Sequence, residues 1–139
     1  MTVVTLVDTG PLVALFDRSD KHHKWTVASL ASVTGALTTC EPVLAETCFL
    51  LKRNYGSADA VFNLLARNLL RIDFSLGDEH KRVQQLMARY EDLPISLADA
   101  CLVRMAEQMP SSRVMTLDRD FSIYRRHGRQ LIPLLAPFA

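Results

Sequence analysis

A chain of 139 residues with 49% hydrophobic and 22% charged residues supports one core that buries roughly 68 to 70% of its unfolded surface, so one domain over 1–139 is expected. It has no low-complexity tract and no long run of like charge, which excludes a disordered tail. Its net charge of +1 excludes a whole-molecule field that attracts nucleic acid, so any anionic partner needs a local patch.

Thr2 to Val7 (TVVTLV) is β-rich and almost wholly apolar, which predicts a central parallel strand buried on both faces. Asp8 interrupts the apolar run Thr2 to Leu15 where that strand must stop, and nothing basic lies near it in sequence. Gly10 and Pro11 make a turn, with Pro11 suited to the first turn of a short helix running to about Phe16. Ser19 or Asp20 can cap a helix from about Lys21 to Ala31. Ala36 to Cys40 reads as a second strand. Pro42 opens a helix to about Lys52 in which Glu46 is the only charge before Lys52. Ser57 caps a helix to about Asn68, whose Val61, Phe62, Leu64, Leu65 and Leu69 cover more than one narrow stripe, wide enough to meet a partner as well as the core.

Leu70 to Phe74 alternates as a third strand. Ser75 and Asp78 are spaced as a capping box for a helix through about Tyr90. Pro94 to Ser96 breaks the pattern before a helix from Leu97 to about Met109. Val114 to Leu117 is a fourth strand, Asp118 to Tyr124 an irregular or short helical turn, and Gln130 to Leu135 a last strand. Strands and helices alternating at this spacing predict an α/β sandwich around a mainly parallel sheet. The longest apolar runs are broken by Asp8 or Glu46 well before the roughly 20 residues of a membrane span. The chain also lacks the features of a secretory leader, so no membrane contact and a cytoplasmic location are expected. Cys40, Cys48 and Cys101 form no C-x-x-C pair and lie in apolar segments, as reduced core thiols do.

Asp8 and Asp118 each follow an apolar strand, while Glu46 and Asp99 fall in the first turns of helices starting on the same side. In a parallel sheet these acids converge beyond the carboxyl ends of the strands, where ligands bind. Like charges so close stay ionised only around a cation. With no histidine or cysteine cluster beside them, an oxygen-only set suits Mg²⁺ or Mn²⁺ and argues against zinc. A hard metal held by carboxylates acts on phosphate esters, which points to phosphoryl chemistry.

The segments VDTGPLVAL with Asp8, PVLAETCFLL with Glu46, LPISLADACLV with Asp99 and VMTLDRDF with Asp118 resemble, in order and spacing, the four acidic motifs of the PIN-domain ribonucleases. The resemblance covers essentially the whole chain. It implies a three-layer α/β/α sandwich of PIN type and endonucleolytic cleavage of RNA dependent on Mg²⁺ or Mn²⁺. Many small members are VapC-like toxins of type II toxin-antitoxin pairs, which implies a partner antitoxin and a homodimer. By the same resemblance Asp8, Glu46, Asp99 and Asp118 would be catalytic metal-binding acids and Asp120 a further acid able to assist. Thr9 and Thr116 match hydroxyl positions beside the metal, and Ser96 a small polar residue before the Asp99 helix. Arg113, Arg119, Arg125, Arg126 and Arg129 crowd the region around Asp118; each reads by itself as part of a solvated surface segment, and as a group beside an acidic pocket they would hold the RNA backbone through bidentate phosphate contacts. Lys52 and Arg53 either do the same or oppose the dipole of their helix.

Structural readings stand beside these. Ser96 to Asp99 is itself a capping box, and Asp118 and Asp120 are each placed to cap a turn. Glu46 has no local backbone donor, so it and Asp8 weigh most in favour of a metal site. His22, His23, His80 and His127 are expected at the surface. A phosphotransferase using Asp8 as nucleophile, as haloacid-dehalogenase-like enzymes do, expects an acid two residues on, where this chain has Gly10. A PIN nuclease with an RNA-processing role and no antitoxin, and a catalytically silent partner-binding module, are the remaining alternatives.

Overall fold

A strand apolar along both faces needs hydrogen-bonded neighbours on both edges and cover above and below. The computed structural model, which describes residues 2–139, gives the first strand all of these. β1 (Val4–Val7) lies between β2 (Leu37–Thr39) and β4 (Ser112–Met115), parallel to both, with Thr5 opposite Leu37 on one side and Arg113 on the other. β3 (Leu70–Ile72) extends the sheet beyond β2, and β7 (Leu134–Leu135) extends it beyond β4. The order is β3-β2-β1-β4-β7, parallel throughout. Every strand therefore ends on the same edge, and the segments that leave the carboxyl ends of β1 and β4 emerge side by side.

Among the described residues six helices flank this sheet in the expected three-layer arrangement: α1 (Thr9–Phe16), α2 (His23–Ser29), α3 (Glu41–Tyr55), α4 (Asp59–Ala66), α5 (Leu76–Arg89) and α6 (Leu97–Gln108). α3 begins with Pro42 in its first turn and stops at Gly56, whose φ of 87° is open to glycine at little cost. Ser75 and Ser96 cap α5 and α6 by accepting the amides of Asp78 and Asp99. α6 is buried around most of its circumference, from Ala98 to Glu107. None of the helices among the described residues is long and apolar enough to cross a membrane. Cys40 and Cys101 are buried free thiols, and Cys48 is half-buried.

Two expectations need correction. The last strand, expected as Gln130 to Leu135, is two pieces. β6 (Gln130–Leu131) pairs antiparallel with β5 (Arg125–Arg126) in a separate hairpin, and only β7 joins the sheet. Pro133 lies between them; it has no amide to donate to a ladder, though its carbonyl accepts from Val114. The helix expected from Lys21 to Ala31 is shorter, because its last turn tightens into a 3-10 segment at Leu30–Ser32. Neither Ser19 nor Asp20 caps it: His22 stands at the N-cap with no side-chain bond, Asp20 accepts the His22 amide in an Asx turn just before the helix, and Ser19 bonds to Asp17.

The sequence pattern gave no hint of the buried ion cluster near the carboxyl end of α6. Glu107 is only 5% exposed. It accepts from Arg82 through both oxygens (2.9 and 2.8 Å), from Arg104, and from the His127 amide at 2.8 Å. Burial works against the charge, but these donors hold the carboxyl down at about 2. The cluster ties α5, α6 and the β5–β6 hairpin together at the end of α6 remote from Asp99.

Candidate active site

Asp8 follows β1 directly and caps α1, its Oδ1 accepting the Thr9 amide at 2.8 Å. Its Oδ2 accepts from the Thr116 hydroxyl at 2.7 Å. Thr116 stands just past β4, and its Oγ1 also accepts the Asp118 amide at 3.0 Å. One hydroxyl thus sets the spacing between the two strand-end acids. Asp118 in turn caps the 3-10 turn Arg119–Ser122, its Oδ1 accepting the Asp120 amide at 2.9 Å. From α3, Glu46 accepts from the Thr9 hydroxyl at 3.0 Å. On α6, Asp99 faces the same cavity and accepts from the Tyr124 hydroxyl at 3.2 Å.

These side chains line one open pocket of about 760 Å³, whose walls are Asp8, Thr9, Gly10, Glu46, Pro94, Ser96, Asp99, Leu117, Asp118, Arg119 and Asp120. All four expected acids, Asp120, Thr9 and Ser96 are therefore brought together, and Thr116 supports them from behind. Gly10 fits the wall because a Cβ there would meet the Leu117 side chain at 3.2 to 3.3 Å. Tyr124 is the participant that the sequence reading missed. It is fully buried, packed edge-on against Tyr90 and Phe121, and a tyrosine 25 residues from its carboxylate partner leaves no spacing signal.

Two expectations about the acids change with the structure in hand. Glu46, singled out as a helix-interior charge without a donor, reaches solvent at the mouth of the pocket and takes its donor from α1. Of the four acids, Asp8 is the one that is buried in the sense that demands an explanation, at 7% exposure. The capping-box reading of Asp99 is half realised: Ser96 accepts the Asp99 amide, but the recorded partner of the Asp99 carboxylate is Tyr124 rather than the helix start.

Burial pushes the Asp8 carboxyl up to about 6, against its hydrogen bonds to Thr116 and Thr9, with Asp118 and Glu46 adding repulsion. Asp99 is pushed up to about 7 by burial, then by Asp8 and Asp118, and Tyr124 only partly offsets this. Burial and Asp118 also raise Asp120. Burial, followed by the charge of Asp99, raises the Tyr124 hydroxyl, which keeps it a proton donor. Among the described residues the ion pairs are those of Arg82 and Arg104 with Glu79 and Glu107, so none of these pocket acids is neutralised by a protein cation.

The arginines do not gather as expected. Only Arg119 lines the pocket, its guanidinium 5.0 Å from the Phe138 ring. Arg113 sits towards the amino end of β4 and bonds to Thr5 Oγ1 and the Ser32 carbonyl. Arg126 donates to the carbonyls of Ala106 and Pro110 at the far end of α6, and Arg125 to those of Ser122, Ile123 and Tyr124. Backbone carbonyls at the ends of elements also accept guanidinium donors, and sequence proximity to Asp118 does not separate that role from holding a phosphate. The histidines stay outside the pocket walls; His80 and His127 are exposed as expected, whereas His22 and His23 are half-buried, the His23 ring bonded to the Ala14 carbonyl.

Residues 5–126 match the PIN domain family. The chain belongs to that family. Among proteins similar to it is ribonuclease VapC26 of Mycobacterium tuberculosis, 29% identical over 126 residues, covering 88% of this chain and 93% of that one. Among solved structures, Mycobacterium tuberculosis VapC20, described as a toxin that cleaves the sarcin-ricin loop, superposes with a TM-score of 0.75. It is 25% identical, with 86% of this chain and 93% of that one covered. The parallel five-stranded sheet with its flanking helices is thus the PIN-type α/β/α fold, and the acidic pocket lies at the carboxyl edge of the PIN sheet.

Proposed function

We propose that this protein is a VapC-like, metal-dependent endoribonuclease, the toxin of a toxin-antitoxin pair. The observation that carries the reading is a pocket walled by five carboxylates, none of them ion-paired with a protein cation among the described residues, in a chain similar to a VapC ribonuclease. The donor set fits Mg²⁺ or Mn²⁺: the pocket walls offer carboxylate and hydroxyl oxygens and neither imidazole nor thiol. Asp8, Glu46, Asp99 and Asp118 would hold the ion or ions, with Asp120 assisting. As they stand, no three His, Cys, Asp or Glu side chains among the described residues are close enough to grip one ion, so binding would require the pocket acids to draw closer together. When bound, the metal neutralises charge on a phosphodiester and lowers the pKa of an attacking water. The protein's own part is positional: Thr116 and Thr9 orient Asp8 and Glu46, Tyr124 orients Asp99, and Arg119 is the one cation lining the pocket among the described residues, able to take a phosphate oxygen.

A protein partner belongs to the same proposal. Phe49, Tyr55, Phe62 and Leu69 on and beside α3 and α4 are 45 to 64% exposed, a surface that an antitoxin or a second copy of the chain would cover. The test is cleavage by purified, partner-free protein. With Mg²⁺ or Mn²⁺ at micromolar enzyme, structured RNA should be cut to 5′-phosphate and 3′-hydroxyl ends, chelation should stop the reaction, and Mn²⁺ should raise the Tm of the wild type but not of Asp8→Asn. RNA left intact under those conditions would overturn the reading.

A further inference from the structure

A second cavity, of about 700 Å³, opens beside the acidic pocket. Glu46 is a wall of both, and the boundary runs between Ser96, which faces the acids, and Leu97, which faces the second cavity. Its lining is mostly apolar: Pro42 and Ala45 of α3, Phe74 and Leu76 at the start of α5, and Leu97 and Ala98 of α6. Leu97 is left 40% exposed there. The polar groups at its mouth are the carboxylates of Glu41 and Glu46 and the region of Ser75.

We infer that this cavity is the binding slot for the nucleobase next to the scissile phosphate. The inference deepens the nuclease reading and rests on it. Anionic walls repel a phosphate or an acidic side chain, and an apolar interior with an aromatic ring suits a flat, neutral, stacking group. The volume lies in the range of pockets that enclose small organic groups. Because Glu46 is common to both cavities, a chain whose phosphate lies among the acids carries its neighbouring base to the slot. The Glu41 carboxylate is an acceptor only, so a base that presents an exocyclic amino group is favoured over uracil, whose single N3–H donor lies between two carbonyl oxygens that a carboxylate repels. An unpaired or extruded nucleotide is required, since a stacked base cannot enter.

The test uses a random-sequence single-stranded RNA pool with Mn²⁺, its cut sites mapped by sequencing, followed by an oligonucleotide of the preferred sequence and the same oligonucleotide made abasic beside the cut. The wild type should show a base preference at one position flanking the cut and lose about tenfold in kcat/KM on the abasic substrate. Ala45→Phe, at an exposed position of α3, fills the slot without touching the core. It should lose about as much on the intact substrate and no more on the abasic one, because the two changes remove the same contact. Phe74→Ala should flatten the base preference; since Phe74 also packs on the core, Ala45→Phe decides if Phe74→Ala fails to fold. Losses that multiply, or an Ala45→Phe variant that cuts like the wild type with the same preference, would overturn the slot and leave the cavity to a protein partner. Asp8→Asn should remove all cutting. A wild type that cuts nothing overturns the nuclease reading and the slot together, whereas the other outcomes strike the slot alone.

Discussion

Both oxygens of Asp8 are already hydrogen-bonded, one to the Thr9 amide and one to the Thr116 hydroxyl, yet its carboxyl is pushed up to about 6 by burial. An asparagine keeps the acceptor for Thr9 and donates to Thr116, whose oxygen has lone pairs for both this group and the Asp118 amide. We therefore expect Asp8→Asn to abolish cleavage while metal-free stability at pH 8 is unchanged or higher. A loss above about 2 kcal/mol in denaturant unfolding would instead mark the carboxylate as structural. The same residue gives the protein a pH signature. Between the unfolded value near 3.8 and the folded values of about 6 for Asp8 and about 7 for Asp99, the native state holds more protons than the unfolded one, so stability falls as pH rises through that window. Asp8 alone accounts for about 3 kcal/mol of the fall. Metal-free protein should melt higher at pH 5 than at pH 8, Asp8→Asn should reduce the difference to the share that Asp99 contributes, and Mn²⁺ should raise the Tm more at pH 8. A metal-free Tm that climbs from pH 5 to pH 8 would refute this.

At the scale of elements, α6 joins two sites of opposite sign dependence. At its amino end are the repelling acids, and at its carboxyl end is Glu107, whose depressed carboxyl adds stability above pH 4.5 that is lost as pH falls towards 2. Replacing Glu107 strands Arg82 and leaves the His127 amide without its acceptor. Glu107→Ala should therefore destabilise by about 3 kcal/mol or more, read as a lower denaturant midpoint, with activity per folded molecule preserved. Unchanged stability would show that the cluster is solvated in solution. Gly10 links α1 to the turn carrying Asp118 by close approach: its missing Cβ leaves room for Leu117. Gly10→Ala should lower kcat with little change in Tm, since the added methyl presses on the residue immediately before Asp118.

For the whole molecule, a net charge of +1 and a single arginine at the pocket mean that few phosphates are neutralised on binding. The logarithm of RNA affinity should then fall only shallowly with the logarithm of salt, each phosphate contact contributing about −0.7 to the slope for single strands. Arg119→Ala should raise KM several-fold and reduce that slope. Arg126→Ala, which removes donors from the end of α6, should lower stability and leave the slope alone. An equal change of slope for both variants would place RNA across the β5–β6 hairpin as well.

The architecture was legible because its signals are local. A strand apolar on both faces, prolines in first helical turns, serines three residues before the amides they cap and Gly56 after α3 act within a few residues of themselves. Asp8, Glu46, Asp99 and Asp118 could be picked out for the same reason, each being an acid at the end of an apolar strand or in the first turns of a helix, and a parallel sheet sends such positions to one edge. What the chain alone could not settle were partnerships between residues far apart. The destinations of Arg113 and Arg126, the Tyr124 hydroxyl on Asp99, the Glu107 cluster and the split of the last strand each depend on which long side chain or free edge meets which carbonyl or carboxylate. A guanidinium can donate to a carbonyl, a carboxylate or water, and nothing local in the chain says which will be within reach, so only packing in three dimensions chooses among them.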